Sequence, residues 1–168
     1  MPDHFVSSND DSWATPQALF DAIDHTYGPF ILDAAAADDS AKCRYYFTVE
    51  DDALSRDWSG RVFLNPPYNR SIHKWSEKVT EELEAGRIYS CTLLIAARTD
   101  TRWWNHLVES RYCVEVLFLK GRVKFGDGTA SAPFASAVIH LAGCYDRHRW
   151  PAGIRTYYGM PHDLDFGN

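Results

Sequence analysis

An open, mostly parallel α/β sheet is the fold class this sequence predicts, and three observations point to it. Short apolar runs alternate along the chain with segments of helical periodicity. The 168 residues fit one domain, large enough to bury about 70% of the surface that its unfolded chain exposes. The unusual residues cluster just after the apolar runs that end at Asp33, Leu64 and Ala97, and sheets of this class bind ligands beyond the carboxyl ends of their strands.

Residues 1–12 are polar and unpatterned, which predicts a flexible leader ahead of a single domain over 13–168. Thr15 as N-cap, Pro16 at the first helical position, and Leu19, Phe20, Ile23 and Tyr27 at helical spacing predict a helix over 16–27, stopped by Gly28-Pro29. Phe30-Ile31-Leu32 reads as a short buried strand that ends at Asp33 and opens into four alanines and Asp38-Asp39. Tyr45 to Val49 has strand composition, interrupted by Glu50-Asp51-Asp52. Arg61 to Leu64 is a second strand, halted by Asn65-Pro66-Pro67-Tyr68. Ile72, Trp75, Val79 and Leu83 then mark one face of a helix that Gly86 closes. Ile88 to Ala97 is the best candidate for a central strand. A helix starting at Thr99 or Asp100 follows; its adjacent Trp103 and Trp104 cannot share a face, so one belongs to the core. Val114 to Leu119 and Ala135 to Leu141 are two further strands, separated by a Gly-rich basic loop.

Composition narrows the classes of function. Apolar residues make 45% of the chain and charged residues 24%, which excludes disorder, collagen and coiled coil. No apolar stretch approaches the roughly 20 residues needed to span a bilayer, and no basic segment followed by an apolar one marks secretion, so a cytoplasmic protein is expected. Cys43, Cys91, Cys113 and Cys144 form no CxxC pair and read as buried free thiols. The seven histidines also lack metal-ligand spacing, and no metal is expected.

The formal net charge of −6 argues against general adhesion to nucleic acid. Its distribution tells more. The first 84 residues hold 7 Lys/Arg against 16 Asp/Glu, and the last 84 hold 10 against 7. A phosphate-facing surface is therefore expected from Arg98, Arg102, Lys120, Arg122 and Lys124. The last three alternate, which in extended chain places them on one side.

Asn65-Pro66-Pro67-Tyr68 is the strongest local signal. Two prolines fix the backbone so that a carbonyl cannot swing away, and the Asn side chain supplies a neutral acceptor beside it. Two acceptors converging on one NH₂ group, next to a flat ring, suit the exocyclic amine of a nucleobase. Adenine's amino nitrogen is a weak nucleophile because its lone pair is delocalised into the ring. Hydrogen bonds accepted from its N–H groups favour pyramidalisation and stabilise the positive charge that develops as the nitrogen attacks a methyl sulfonium.

With that tetrad in place, the sequence resembles the phage-type, Dam-like DNA N6-adenine methyltransferases. The resemblance runs from about Trp13 to Leu141 through ordered blocks: Trp13-Ala14-Thr15-Pro16, Leu32-Asp33-Ala34-Ala35, Ala41-Lys42-Cys43, Glu50-Asp51-Asp52-Ala53-Leu54, the tetrad, Ala97 to Trp104, Phe118 to Phe125, and Ala132-Pro133-Phe134. It implies a compact, trimmed, Rossmann-like methyltransferase fold that uses S-adenosylmethionine (SAM) on double-stranded DNA, in the cytoplasm of a bacterial host if phage-encoded. It gives Asn65, Pro66, Pro67 and Tyr68 the target adenine. It gives Asp33 the cofactor's ammonium, and Trp13, Thr15 and Pro16 an upstream part of the cofactor site. Asp51 or Asp52 would accept from the cofactor's adenine. Four alanines stand where many methyltransferases place a glycine-rich loop. That departure motivates one alternative, a catalytically inactive DNA-binding protein of the same fold. Another is an amino-methyltransferase acting on RNA or protein glutamine, whose NH₂ would satisfy the same acceptors.

Overall fold

The structure, a computed structural model, describes residues 13–129 and 131–150 together with the backbone of Arg155–Tyr158; the expected leader over 1–12 lies outside them. The elements follow in the order α1 (Gln17–Tyr27), β1 (Leu32–Asp33), β2 (Tyr45–Tyr46), β3 (Gly60–Leu64), α2 (Ile72–Glu84), β4 (Ile88–Ala96), α3 (Arg102–Val108), β5 (Cys113–Phe118), β6 (Ser136–Ala142), α4 (Cys144–Arg147) and β7 (Arg155–Tyr158). Two 3₁₀ turns, Val49–Asp51 and Ala53–Ser55, lie between β2 and β3. All the described strands join one sheet in the order β2-β1-β3-β4-β6-β5-β7.

The sheet is mostly parallel, with one reversal. β1 runs parallel to β2 and β3, β3 to β4, and β5 to β7, whereas β6 is antiparallel to both its neighbours, β4 and β5. Since β6 reverses between them, β5 points the same way as β4. The connection over 119–135 therefore lies at the edge where β1, β3 and β4 also end.

Both faces of the sheet are covered, so the central strands are apolar on successive residues. Val62, Leu64, Leu93 and Ile95 face Trp58 and the helices α2 and α3. Phe63, Leu94, Leu117 and Val138 face α1, through Leu19, Phe20 and Ile23, and the returning segment of Val123 and Phe125. Of the adjacent tryptophans, Trp104 is buried and Trp103 half-buried.

Two helix starts differ from expectation. Pro16, not Thr15, is the N-cap of α1, with ψ of 137°, and its ring has no acceptor to cap with, while the Thr15 hydroxyl accepts from Asn65 instead. α3 begins at Arg102, three residues past Thr99, since a turn from Arg98 to Thr101 delays it and the Thr101 side chain takes the Trp104 amide. The thiols divide as well. Cys91 and Cys113 are buried and Cys43 half-buried, but Cys144 is exposed because it opens α4 just beyond the end of β6. Among the described residues no helix is long and apolar enough to cross a membrane, and no group of three or more His, Cys, Asp or Glu is placed to hold a metal ion.

A polar cluster sits inside the α1 face. His140 is fully buried, its Nδ1 is paired with Thr92 Oγ1 at 2.8 Å, and its ring stacks on Tyr27 with centroids 4.7 Å apart. The Tyr27 hydroxyl in turn donates to Glu115 Oε2 at 2.6 Å. Burial pushes the His140 pKa down to about 3, against ~6.5 in an unfolded chain. The unfolded state therefore takes up a proton that the native state refuses. Stability from this residue is complete above pH ~6.5 and is expected to fall by ~1.4 kcal/mol per unit as the pH drops from there toward 3. Urea unfolding at pH 7.5 and 5.5 checks it, with His140→Gln giving a shallower dependence.

Candidate active site

β1, β3 and β4 end on one edge of the sheet, where the chain departs through four alanines after β1, through the Asn65 tetrad after β3 and through Ala97-Arg98 after β4. There an open pocket of about 710 Å³ lies between the residues after β1 and β2 on one side and those after β3 on the other, with Trp13 to Thr15 as a further wall. That volume is in the range of pockets that take drug-sized ligands.

The tetrad follows β3 without a break. Asn65, Pro66 and Pro67 all line the pocket. The Asn65 amide is spoken for on its nitrogen side: Nδ2 donates to the Trp13 carbonyl at 2.6 Å and to Thr15 Oγ1 at 3.1 Å. Its Oδ1 accepts from the Tyr68 hydroxyl at 3.0 Å, which leaves one lone pair of that oxygen. The Pro66 carbonyl accepts no hydrogen bond from the described residues. The Asn65 amide is thus held on both its nitrogen and its oxygen, and the next carbonyl, that of Pro66, belongs to a backbone stiffened by two prolines.

Tyr68 sits behind this pair. Its hydroxyl also reaches the Leu94 carbonyl at 3.2 Å, and burial pushes its pKa up, so it stays a donor. The half-buried ring packs against Phe134 at 4.9 Å. Trp13 meets Phe125 and Phe134 edge-on at 5.6 and 5.7 Å, which ties the start of the chain to the segment after β5. The Gly126 amide adds a bond to the Ala14 carbonyl.

Asp33 closes β1 and is 3% exposed. Its Oδ2 accepts from the Lys42 amide at 3.0 Å and its Oδ1 from the Ala35 amide at 3.4 Å. Burial raises its pKa, and those two backbone bonds and the Lys42 charge offset only part of the rise. Among the described residues it forms no salt bridge. Its two hydrogen bonds both come from backbone amides, and the carboxylate stands on the pocket wall. The four alanines follow it, and none of them has positive φ, because Asp52 is the one non-glycine residue with positive φ among those described. This turn does not need glycine, which answers the departure noted in the sequence.

The acidic segment after β2 divides the two candidates there. Asp51 Oδ2 accepts from the backbone amide and the hydroxyl of Thr48, a local cap that holds its pKa down. Asp52, at φ 51°, lines the pocket. Glu50 lines it too, as do Asp38, Phe47 and Trp75. Glu50 and Trp75 escaped sequence reasoning: the first looked like part of a solvated turn, and the second like a core position of α2. Position at the carboxyl end of a strand was the one available signal for Glu50.

Trp13 and Thr15 line the pocket and Pro16 does not. The five basic candidates lie outside the pocket but on the same edge of the sheet. Arg98 and Arg102 follow β4; Lys120, Arg122 and Lys124 follow β5, and all five are exposed. Val123 is buried between Arg122 and Lys124, but Gly121, exposed at φ 70°, stands between Lys120 and Arg122, so the expected alternation holds over 122–125 alone and the segment is a loop rather than a strand. Among the described residues none of the five forms a salt bridge.

A mostly parallel sheet with a strand-end pocket, an acidic residue closing its first strand and an amide–carbonyl acceptor pair closing its third is compatible with a methyltransferase fold. The family described as DNA N-6-adenine-methyltransferase (Dam) matches residues 3–144. The chain belongs to that family. It is 43% identical over 74 residues to the protein YfdM of Escherichia coli (strain K12), covering 40% of this chain and 81% of that one. It is 31% identical over 97 residues to the DNA N-6-adenine-methyltransferase of Escherichia phage T1, covering 56% of this chain and 40% of the phage protein. It is also 26% identical over 123 residues to the DNA N-6-adenine-methyltransferase of Haemophilus phage HP1 (strain HP1c1), covering 70% and 68% respectively.

Proposed function

We propose that this chain transfers a methyl group from SAM to the N6 amino group of an adenine in double-stranded DNA, acting in the cytoplasm of a bacterial host. The observation that carries the reading is that Asn65, its amide nitrogen tied to the Trp13 carbonyl and Thr15, lines one pocket together with Pro66 and the buried carboxylate of Asp33.

The pocket fits the cofactor. Asp33, buried without a salt-bridge partner, matches the cation of a methionine ammonium, and Glu50 and Asp52 at the far side are acceptors for its hydroxyls and adenine amine. Trp13 and Thr15 wall the pocket between them, while Pro16 acts through the backbone by accepting the Phe20 amide. SAM supplies an electrophilic methyl on a sulfonium, which needs no metal. On the substrate side the target adenine is turned out of the duplex. Its two N6 hydrogens are accepted by Asn65 Oδ1 and the Pro66 carbonyl, which aims the nitrogen lone pair away from both. Each such neutral bond contributes only ~1 kcal/mol in the ground state. Alignment, at ~7–11 kcal/mol, supplies most of the acceleration. Tyr68 does not line the pocket, so the expected stacking of the base on its ring gives way to support of Asn65 through its hydroxyl, and Arg98, Arg102, Lys120, Arg122 and Lys124 hold the flanking phosphates.

Incubation with labelled SAM and unmethylated duplex DNA, followed by nucleoside analysis, is expected to yield N6-methyladenine. Parallel reactions with RNA and with protein discriminate the alternatives. Label in RNA or in glutamine but not in DNA overturns the DNA assignment, and SAM binding without any transfer to DNA overturns the activity.

A further inference from the structure

The orientation of the Asn65 amide is imposed from outside the tetrad. An asparagine side chain has nearly the same shape in either of its two flips, so packing alone does not choose between them. The choice decides the chemistry. With the nitrogen turned to the substrate, a donor would confront the N–H groups of the target amine; with the oxygen turned to it, an acceptor receives one of them. Two groups some 50 residues upstream bear on that choice. The Trp13 carbonyl is an acceptor only, and it takes one Nδ2 hydrogen at 2.6 Å. Thr15 Oγ1 takes the other at 3.1 Å. On the oxygen side the Tyr68 hydroxyl donates at 3.0 Å. A flipped amide would set its oxygen against the Trp13 carbonyl, which has no hydrogen to give it, so it is this carbonyl that fixes the choice.

Thr15 is buried, and α1 starts without a side-chain cap although Thr15 and Pro16 stand at its beginning. Trp13 is anchored in turn by its ring against Phe125 and Phe134. We propose that the Trp13 carbonyl and the Thr15 hydroxyl form an amide lock that keeps Asn65 Oδ1 turned toward the target amine, which makes Thr15 a positioning residue and confines position 65 to an amide side chain. The inference rests on the adenine-methyltransferase reading and deepens it. An aspartate at 65 has no N–H for the Trp13 carbonyl, so charge alone does not make it a substitute.

The test separates turnover from cofactor binding. Thr15→Val keeps the shape and removes the hydroxyl; because Thr15 also walls the pocket, kcat is read at saturating SAM, and on duplex DNA it is expected to fall by ~10- to 100-fold, the scale of a small misplacement. Thr15→Ser restores the hydroxyl and is expected to recover most of the kcat. Weaker SAM binding at full kcat in Thr15→Val makes the residue a cofactor ligand and overturns the proposal, as does a Thr15→Ser no better than Thr15→Val. Should the valine variant fail to fold, Asn65→Asp carries the test: SAM binding is retained and kcat is reduced by at least ~10-fold, and wild-type kcat overturns the lock. One readout is independent of activity. Hydrogen exchange of the Asn65 side-chain NH₂, followed by NMR, is slow in the wild type and is expected to accelerate in Thr15→Val. Unchanged exchange defeats the lock even in an enzyme that methylates DNA, whereas slow exchange in a protein that methylates no DNA defeats the activity instead.

Discussion

Asn65→Ala is expected to lower turnover on duplex DNA by ~10²–10³, by analogy with the loss of one preorganised group that meets developing charge. The estimate exceeds the ~1 kcal/mol of a neutral ground-state bond because Oδ1 is fixed before the nitrogen becomes cationic. Its three partners, the Trp13 carbonyl, Thr15 Oγ1 and the Tyr68 hydroxyl, hold it within 2.6–3.1 Å. SAM binding and secondary structure are expected to survive, because Pro66 and Pro67 still shape the turn. Single-turnover kinetics with saturating SAM reads the chemical step. Methyl transfer at the wild-type rate would remove Asn65 from the reaction.

Asp33→Asn is expected to weaken SAM binding by ~10- to 100-fold, the worth of a hydrogen bond to a charged group, while the unliganded protein melts no lower than the wild type. The second half follows from the sign of the pKa shift. Burial raises the Asp33 pKa above its ordinary value, so protonation favours the native state and the ionised form weighs against it at neutral pH. An amide lifts that burden and keeps an oxygen for the Lys42 N–H bond. A cationic ligand lifts it in the wild type alone, so the thermal shift produced by SAM is expected to shrink in the variant. A variant that binds SAM normally would place the ammonium elsewhere. For the same reason wild-type affinity is expected to fall with acidity at a higher pH than an ordinary aspartate would give.

The parts of this protein that were legible in its sequence are those governed by neighbours along the chain. Asn65-Pro66-Pro67-Tyr68 halts β3 because consecutive prolines cannot extend a ladder, and Ile72, Trp75, Val79 and Leu83 marked α2 by spacing alone. What stayed hidden depends on partners far away. The reversal of β6 leaves no trace in Ala135 to Leu141, since a strand buried on both faces reads alike in either direction. Thr15 looked like a cap because Thr before a periodic run usually is one; its hydroxyl is claimed by Asn65, and its place before Pro16 holds it extended. In the same way Thr99, Asp100 and Thr101 are all competent caps, and the Arg98–Thr101 turn selects the last. That Asp52 lines the pocket while Asp51 caps Thr48 goes with one left-handed residue, which composition does not reveal.

The uncapped start of α1 bears on any attempt to harden this protein by engineering. α1, α2 and α4 start without a side-chain cap and α3 has Thr101; α1 and α2 are the two that begin beside the pocket. A new cap is ordinarily worth ~1 kcal/mol, so the first turns of α1 and α2 look like free targets for thermostabilisation. They are the wrong ones: a cap installed at residue 16 would release the backbone that proline fixes and slacken the chain at Thr15. Heat tolerance is better sought on the outward face of α2, which carries neither a pocket residue nor one of the exposed arginines of the β4–α3 segment.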